Sequence, residues 1–192
     1  MQVRKALQDE SDAVVDLVRR AAADEVVTAW VLDSDEVRNA DRTLTDEIIR
    51  TLVDEQARRC EVLVAEDERG FAGYAFWTEA GGGTAGGEPP RPDGTPPRAE
   101  ALFTLLTAAR PTFPHLYLAA TAVLPERRGQ GVGGLLLAHR LADTAGLPCY
   151  LEASTTRSAA LYARHGFAHA GRPIELPENG PTLFPMLRPA TT

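Results

Sequence analysis

Between residues 127 and 134 the chain reads Arg127-Arg128-Gly129-Gln130-Gly131-Val132-Gly133-Gly134 and runs directly into Leu135, Leu136 and Leu137. The apolar stretch His115 to Leu124, ended by Pro125, precedes it, so the pattern predicts a strand, a glycine turn and then a helix. Glycines there let backbone N–H groups come close to a ligand, and the helix N-terminus adds partial positive charge; a phosphate or diphosphate is what such a turn suits. A tight connection with no ligand is the plainer alternative, but it seldom needs so many glycines. Gly129, Gly131 and Gly134 also satisfy the dinucleotide pattern G-x-G-x-x-G, with Glu152 roughly 20 residues further on. A doubly wound fold usually opens with that pattern and continues through several more strand–helix units, for which too little chain remains. A P-loop is excluded because neither Lys-Ser nor Lys-Thr follows the glycines.

Other elements must hold this turn in place. From Asp9 or Ser11, either of which suits an N-cap, Val14, Leu17, Val18 and Ala21 recur at helical spacing, with Asp16, Arg19 and Arg20 on the opposite side. A second amphipathic helix is expected from near Thr43, which has capping-box spacing with Asp46; Ile48, Ile49 and Leu52 form its apolar stripe, and Arg58 and Arg59 its charged end. Glu61 to Ala65 and Phe71 to Trp77 are β-branched or aromatic runs separated by Asp67-Glu68-Arg69-Gly70, the signature of a hairpin. Residues Gly81 to Pro97 are dense in glycine and proline and are expected to form an exposed loop, read as a surface insertion rather than a substrate-side lid. Ala99 to Ala108 is expected to be helical, and Pro148 to Ser154 to form a further strand.

Composition bounds the answer. The 192 residues, 44% hydrophobic, are enough for one substantial core, and a single domain spanning 1–192 is expected. No apolar run follows Arg4 and Lys5, and nothing approaches the roughly 18 uninterrupted apolar residues of a membrane span, so a cytoplasmic protein with no membrane partner is expected. Cys60 and Cys149 are far apart, with no disulfide framework and no metal-binding C-x-x-C. A net charge of -7 spread along the chain argues against a nucleic-acid surface and weakly favours a cationic amine substrate. Oligomeric state is left open, a homodimer included.

Arg128-x-x-Gly131-x-Gly133 after an apolar strand ending Ala-Val-x-Pro resembles the acetyl-CoA motif of the GCN5-related N-acetyltransferases. The segment Leu161-Tyr162-Ala163-Arg164-His165-Gly166-Phe167 is similar to that family's Leu-Tyr-x-x-x-Gly-Phe helix and final strand. The likeness covers about His115 to Arg188. Within the family, Tyr150-Leu151-Glu152-Ala153-Ser154 together with the closing Leu183-Phe184-Pro185-Met186 resembles the branch that includes puromycin N-acetyltransferase. The resemblance implies an α/β acyl-CoA N-acyltransferase fold: a mixed, mostly antiparallel sheet with flanking helices, opened by a V-shaped split between the strand at 115–124 and the strand at 148–154. Acetyl-CoA, as co-substrate, would occupy the split, and the acceptor amine would approach from the side built by the first two helices and the hairpin.

The resemblance also implies roles. The backbone of Thr121, Ala122 and Val123 would line the pantetheine arm as an added strand does. Gly129, Gln130, Gly131, Val132, Gly133 and Gly134 would hold the diphosphate through main-chain N–H groups, with Arg128 adding charge and Arg127 left to solvent. Thr155 stands where many members carry the asparagine that helps hold the pantetheine. Acetyl transfer needs a neutral amine, a polarised thioester carbonyl and a proton for the departing thiolate. Tyr162 is assigned that last role, since a phenol of pKa about 10 stays protonated at neutral pH yet can donate as the thiolate forms. For the general base, Glu79, His115 and Glu152 are all candidates, and so is a water relay. Glu152 ranks first because a carboxylate in an apolar strand needs a pocket, a partner or water. Cys149 is read as a small hydrophobe rather than an acetyl carrier, and His165 as a helix-end cation before a glycine cap. A non-catalytic acyl-CoA sensor and a nicotinamide-dependent oxidoreductase are the competing functional readings.

Overall fold

In the computed structural model, which describes residues 1–34, 50–51, 54–55, 58–82 and 95–190, the glycine turn lies at the middle of one large sheet. The strands are β1 (Gln2–Lys5), β2 (Glu61–Asp67), β3 (Gly70–Ala80), β4 (His115–Val123), β5 (Cys149–Ala153), β6 (Ala168–His169), β7 (Ile174–Glu175) and β8 (Thr182–Arg188). Their order is β1-β2-β3-β4-β5-β8-β6, with β7 pairing β8 off that path. Every described pairing is antiparallel except β4 with β5. A doubly wound sheet is parallel throughout its crossovers, so this topology removes the dinucleotide reading.

The parallel pair is short. Leu116 faces Cys149 and Tyr117 faces Tyr150, and there the ladder stops. Beyond Tyr117, β4 pairs with β3 alone while β5 pairs with β8, so the two strands diverge into the expected split. A bulge sharpens the divergence: Phe76 faces Ala120 but Trp77 faces Leu118, which leaves Ala119 as an extra residue on β4. Close backbone approach at the rim explains Gly73, where a Cβ would stand 2.8 Å from Ala122 O.

Helices cover both faces. The helix α1 (Ser11–Ala22) buries Val14, Val15, Leu17 and Ala21 against Val64, Tyr74, Phe76 and Leu124. Neither Asp9 nor Ser11 caps it: residues Gln8–Glu10 form a 3-10 turn, and Glu10 instead accepts from Leu7 N (2.7 Å) and pairs with Arg4. A short helix that the sequence pattern did not suggest, α2 (Val26–Leu32), follows, and its Trp30 packs with Ile174, Leu176 and Leu183 under α3 (Pro97–Ala109). On the other face, α4 (Val132–Leu141) and α5 (Thr156–Arg164) close over Leu63, Trp77, Leu116, Leu118 and Leu151. The expected hairpin is present, its pairing extended toward the turn as far as Asp67 with Gly70, while β3 runs on to Ala80 against β4. The expected start of a helix near Thr43 and the body of the Gly81–Pro97 loop lie outside the described residues; helical backbone at 58–59 does reach the charged end at Arg58 and Arg59. Among the described residues no helix is long and apolar enough to cross a membrane.

Candidate active site

The strand β4 runs through a 3-10 turn (Pro125–Arg127) into the glycines, and two of them need their residue type for backbone reasons alone: Gly129 has φ 76° and Gly131 φ 81°, with open space where a Cβ would be. Gly131 is the N-cap of α4 and supplies no side-chain cap. Leu135 donates to Gly131 O at 3.0 Å, the first regular bond of the helix. The N–H groups of Val132, Gly133 and Gly134 therefore stand at the cleft wall without an acceptor among the described residues, the arrangement an anion requires. Gly133 has a second reason to be glycine, since its Cβ would come within 3.2 Å of Leu161 on α5.

The cleft measures about 520 Å³. It gathers Thr121, Ala122, Val123, Arg128, Gly129, Gly131, Val132, Gly133, Gly134, Thr155 and Tyr162, which is most of the expected set. Gln130 is not among its lining residues; its amide turns back to donate to Glu126 O at 3.2 Å. Thr121 keeps its hydroxyl on Tyr74 O at 2.8 Å, so what it can offer a ligand is backbone. Thr155 caps α5: its hydroxyl oxygen accepts from Ser158 N at 3.0 Å and also meets the Ser158 hydroxyl. The unpaired β4 edge, the uncapped amides and a cleft joining them fit the amide-bearing arm and diphosphate of acetyl-CoA.

Both arginines differ from their expected settings. Arg127, read as solvated, is buried at 4% exposure and pairs with Asp67 at the start of the hairpin turn. Arg128 is a clamp: its Nη1 and Nη2 donate to Asp24 Oδ2 (2.6 Å) and Oδ1 (2.7 Å), Nε to Val123 O (3.0 Å) and Nη2 to Ala21 O (3.2 Å). That bidentate contact holds the Asp24 carboxyl below the usual range. Neither partner lies near enough in sequence for local pattern to reveal it.

Tyr162 projects from α5 with 7% exposure, and its ring meets Phe167 edge-on at 6.1 Å. Burial pushes its hydroxyl well above the ordinary phenol range, and the negative charge of Glu25 pushes further. It is therefore a neutral donor at physiological pH. Glu25 was not visible as a site residue in the sequence. It lines the same cleft and caps α2 through its side chain; a carboxylate placed just before the run Val26-Val27-Thr28-Ala29-Trp30 was the one signal that could have marked it.

Glu152 is not at the cleft wall. It lies on β5 in a buried polar group, where its Oε2 accepts from the Tyr117 hydroxyl at 2.9 Å and its Oε1 has no partner among the described residues. Burial raises its pKa, countered in part by Tyr117 and by the Arg110 guanidinium, which lies 4.0 Å from the centre of the Tyr117 ring. His115 is fully buried with Nδ1 on Phe113 O at 2.8 Å and Nε2 unpartnered, and burial lowers its pKa, so it is neutral. Glu79 lines a separate hollow with Lys5 and His139. Cys149 is inaccessible, and burial raises its thiol pKa, as a small hydrophobe would have it. Gly166 takes the left-handed cap (φ 86°), but burial and then Arg164 and Arg188 lower the pKa of His165, so the expected helix-end cation is a neutral ring.

Residues 58–169 match the acetyltransferase (GNAT) domain model. The match spans more than half of the chain and falls on the hairpin, the glycine turn and the α5 motif, and the chain belongs to this family. It is an acetyl-CoA-dependent acyltransferase. Among solved structures it is similar to a Corynebacterium glutamicum protein described as histone acetyltransferase HPA2 and related acetyltransferase, at 27% identity over 100% of this chain and 97% of that one, with TM-score 0.70. Arylalkylamine N-acetyltransferase 2 from Aedes aegypti shares the fold at 16% identity, 99% coverage of both chains and TM-score 0.69. So does the ribosomal-protein-S18-alanine N-acetyltransferase of Escherichia coli, at 17% identity, covering 100% of this chain and 94% of that one, with TM-score 0.59.

Proposed function

We propose that this enzyme transfers acetyl from acetyl-CoA to a primary amine of a small molecule by direct attack in a ternary complex. The observation that carries the reading is the single cleft that joins an uncapped helix N-terminus, an unpaired strand edge and a buried phenol. The amides of Gly129, Gln130, Gly131, Val132, Gly133 and Gly134 receive the diphosphate, and Arg128 fixes the turn that presents them. The backbone of Thr121, Ala122 and Val123 pairs with the pantetheine arm, with Thr155 beside it. Acetyl-CoA supplies the activated thioester.

The neutral amine nitrogen attacks the carbonyl carbon, the C–N bond forms, the C–S bond breaks, and Tyr162 donates its proton to the sulfur and is restored by the proton that the new amide nitrogen sheds. Glu152, which does not line the cleft, takes the proton that the ammonium must lose through a water relay. The strand Tyr150-Leu151-Glu152-Ala153-Ser154 and the closing Leu183-Phe184-Pro185-Met186 support placement in the branch resembling puromycin N-acetyltransferase. The catalytic unit is one domain over 1–192, acting in the cytoplasm without nucleic-acid or membrane partners, consistent with its net charge of -7. Thiol release from acetyl-CoA, followed across a panel of amines with the acetylated product identified by mass spectrometry, tests the proposal. Binding of acetyl-CoA with no amine acetylated would sink it.

A further inference from the structure

One carboxylate oxygen in the cleft has nothing to bond. Glu25 caps α2 with Oε2, which accepts from Val27 N (3.0 Å), Thr28 N (2.9 Å) and the Thr28 hydroxyl (3.2 Å). Its Oε1 is buried and finds no donor among the described residues. A buried acceptor left unmet is destabilising, more so when charged, and a ligand that brings a donor relieves it. Of the cations lining the cleft, Arg128 is closed on Asp24, Ala21 O and Val123 O, Arg127 on Asp67 and Arg164 on Ala160 O, and exposed Arg157 on α5 makes no hydrogen bond to Glu25 Oε1. The same cleft contains Tyr162, assigned to the departing sulfur, and Thr121 and Ala122, assigned to the pantetheine arm. Burial first, and then the negative charge of Glu25, raises the pKa of the Tyr162 and Tyr74 phenols.

We propose that Glu25 Oε1 is the seat of the acceptor's ammonium group, so that this enzyme selects amines that are cationic at neutral pH over amines that are neutral there. The assignment rests on the acetyl-transfer reading given above. An ammonium carries up to three N–H donors and no acceptor, and a carboxylate is acceptor-only, so the match is complete in both charge and hydrogen-bond sense. Capping fixes the carboxylate: with Oε2 held by two amides and a hydroxyl, Glu25 has a set place in the cleft that Tyr162 also lines. Glu25 binds the cation, and the proton it loses passes to Glu152 by the water relay of the reaction proposed above.

Glu25→Gln tests this cleanly, because the amide oxygen can still accept from Val27 and Thr28 while the charge is gone. Wild type and variant are compared on pairs of small amines matched in shape, benzylamine with aniline and its ring-substituted relatives, at pH 7.5. The expected result is a fall in kcat/KM for the alkylamines of about ten- to hundredfold, carried mainly by KM, with arylamines and the acetyl-CoA KM changed by less than about twofold. Thr28→Val, which removes one cap donor and no charge, is expected to leave the alkylamine-to-arylamine ratio as in wild type. Equal losses on both amine classes in Glu25→Gln, or the same change of ratio in Thr28→Val, would overturn the assignment. So would a wild-type enzyme that acetylates arylamines and refuses alkylamines. If wild type acetylates no amine in the wider panel, the acetyl-transfer reading itself falls, a different outcome from the loss of selectivity.

Discussion

Arg128 grips Asp24 through two parallel hydrogen bonds of 2.6 and 2.7 Å, and in doing so joins the glycine turn to the end of α1. The guanidinium thus reaches any anion at the turn as half of a neutral pair. Asp24→Asn leaves Arg128 its backbone acceptors, Ala21 O and Val123 O, and releases its charge. The acetyl-CoA KM is expected to fall about two- to fivefold at low ionic strength, with the gain fading as salt rises, since exposed charges are screened beyond roughly 10 Å at 0.1 M. Steady-state kinetics across a salt series check it; an effect independent of salt would contradict the electrostatic cause.

Tyr162→Phe removes a donor without removing the packing against Phe167. Turnover is expected to drop at least about tenfold with little change in acetyl-CoA affinity, because the contact forms as the thiolate leaves. Since burial and Glu25 both raise its pKa above the ordinary 10.0, wild-type turnover should show no alkaline loss from this group below pH 10. Titration calorimetry and a pH–rate profile measure the two halves.

Glu152 is expected to show itself in stability as well as rate. Its folded-state pKa is raised above the ordinary 4.5, so the native state holds the proton more tightly than the unfolded chain does. Stability from this group is present below pH 4.5 and is lost as pH rises through the folded value. Glu152→Gln, which keeps an acceptor for Tyr117, should therefore melt higher than wild type at pH 8, with the difference shrinking toward pH 4.5. Each kcal/mol recovered is worth roughly 2–4 °C in a chain of this size. Turnover of the same variant should fall if the base role is right.

Gly131→Ala places a Cβ in open space but in a left-handed backbone, φ 81°. The strain costs roughly 1–2 kcal/mol, which lowers the melting temperature by a few degrees. If the turn relaxes to relieve it, the amides of α4 turn away and acetyl-CoA binding weakens; calorimetry on the folded variant reads this directly.

The C-terminal part of the chain was readable because its signals are local. An apolar run, a proline stop, left-handed glycines and a leucine-rich helix each act within a few residues, and the split followed from the family resemblance. What was hidden was carried by pairs distant in sequence. Arg127 reads as surface until Asp67 is folded beside it, and Arg128 reads as a free cation until α1 brings Asp24 to it. The strand β1, Gln2-Val3-Arg4-Lys5, has no apolar alternation to announce it and exists because β2 supplies a ladder. The seven residues of α2 include β-branched Val26, Val27, Thr28 and Val31, poor helix formers held by the Glu25 cap and the burial of Trp30. With α2 unseen, Glu25 was unseen too.

The union of β4 and β5 has a mechanical consequence. Among the described residues, the ladder pairing between the two halves of the sheet is just two residues long, Leu116 with Cys149 and Tyr117 with Tyr150. Under tension the molecule has a tear line there, far weaker than the long ladders on either side. A guest lying between the strands would serve as extra thread, so the loaded protein should rupture at higher force than the bare one.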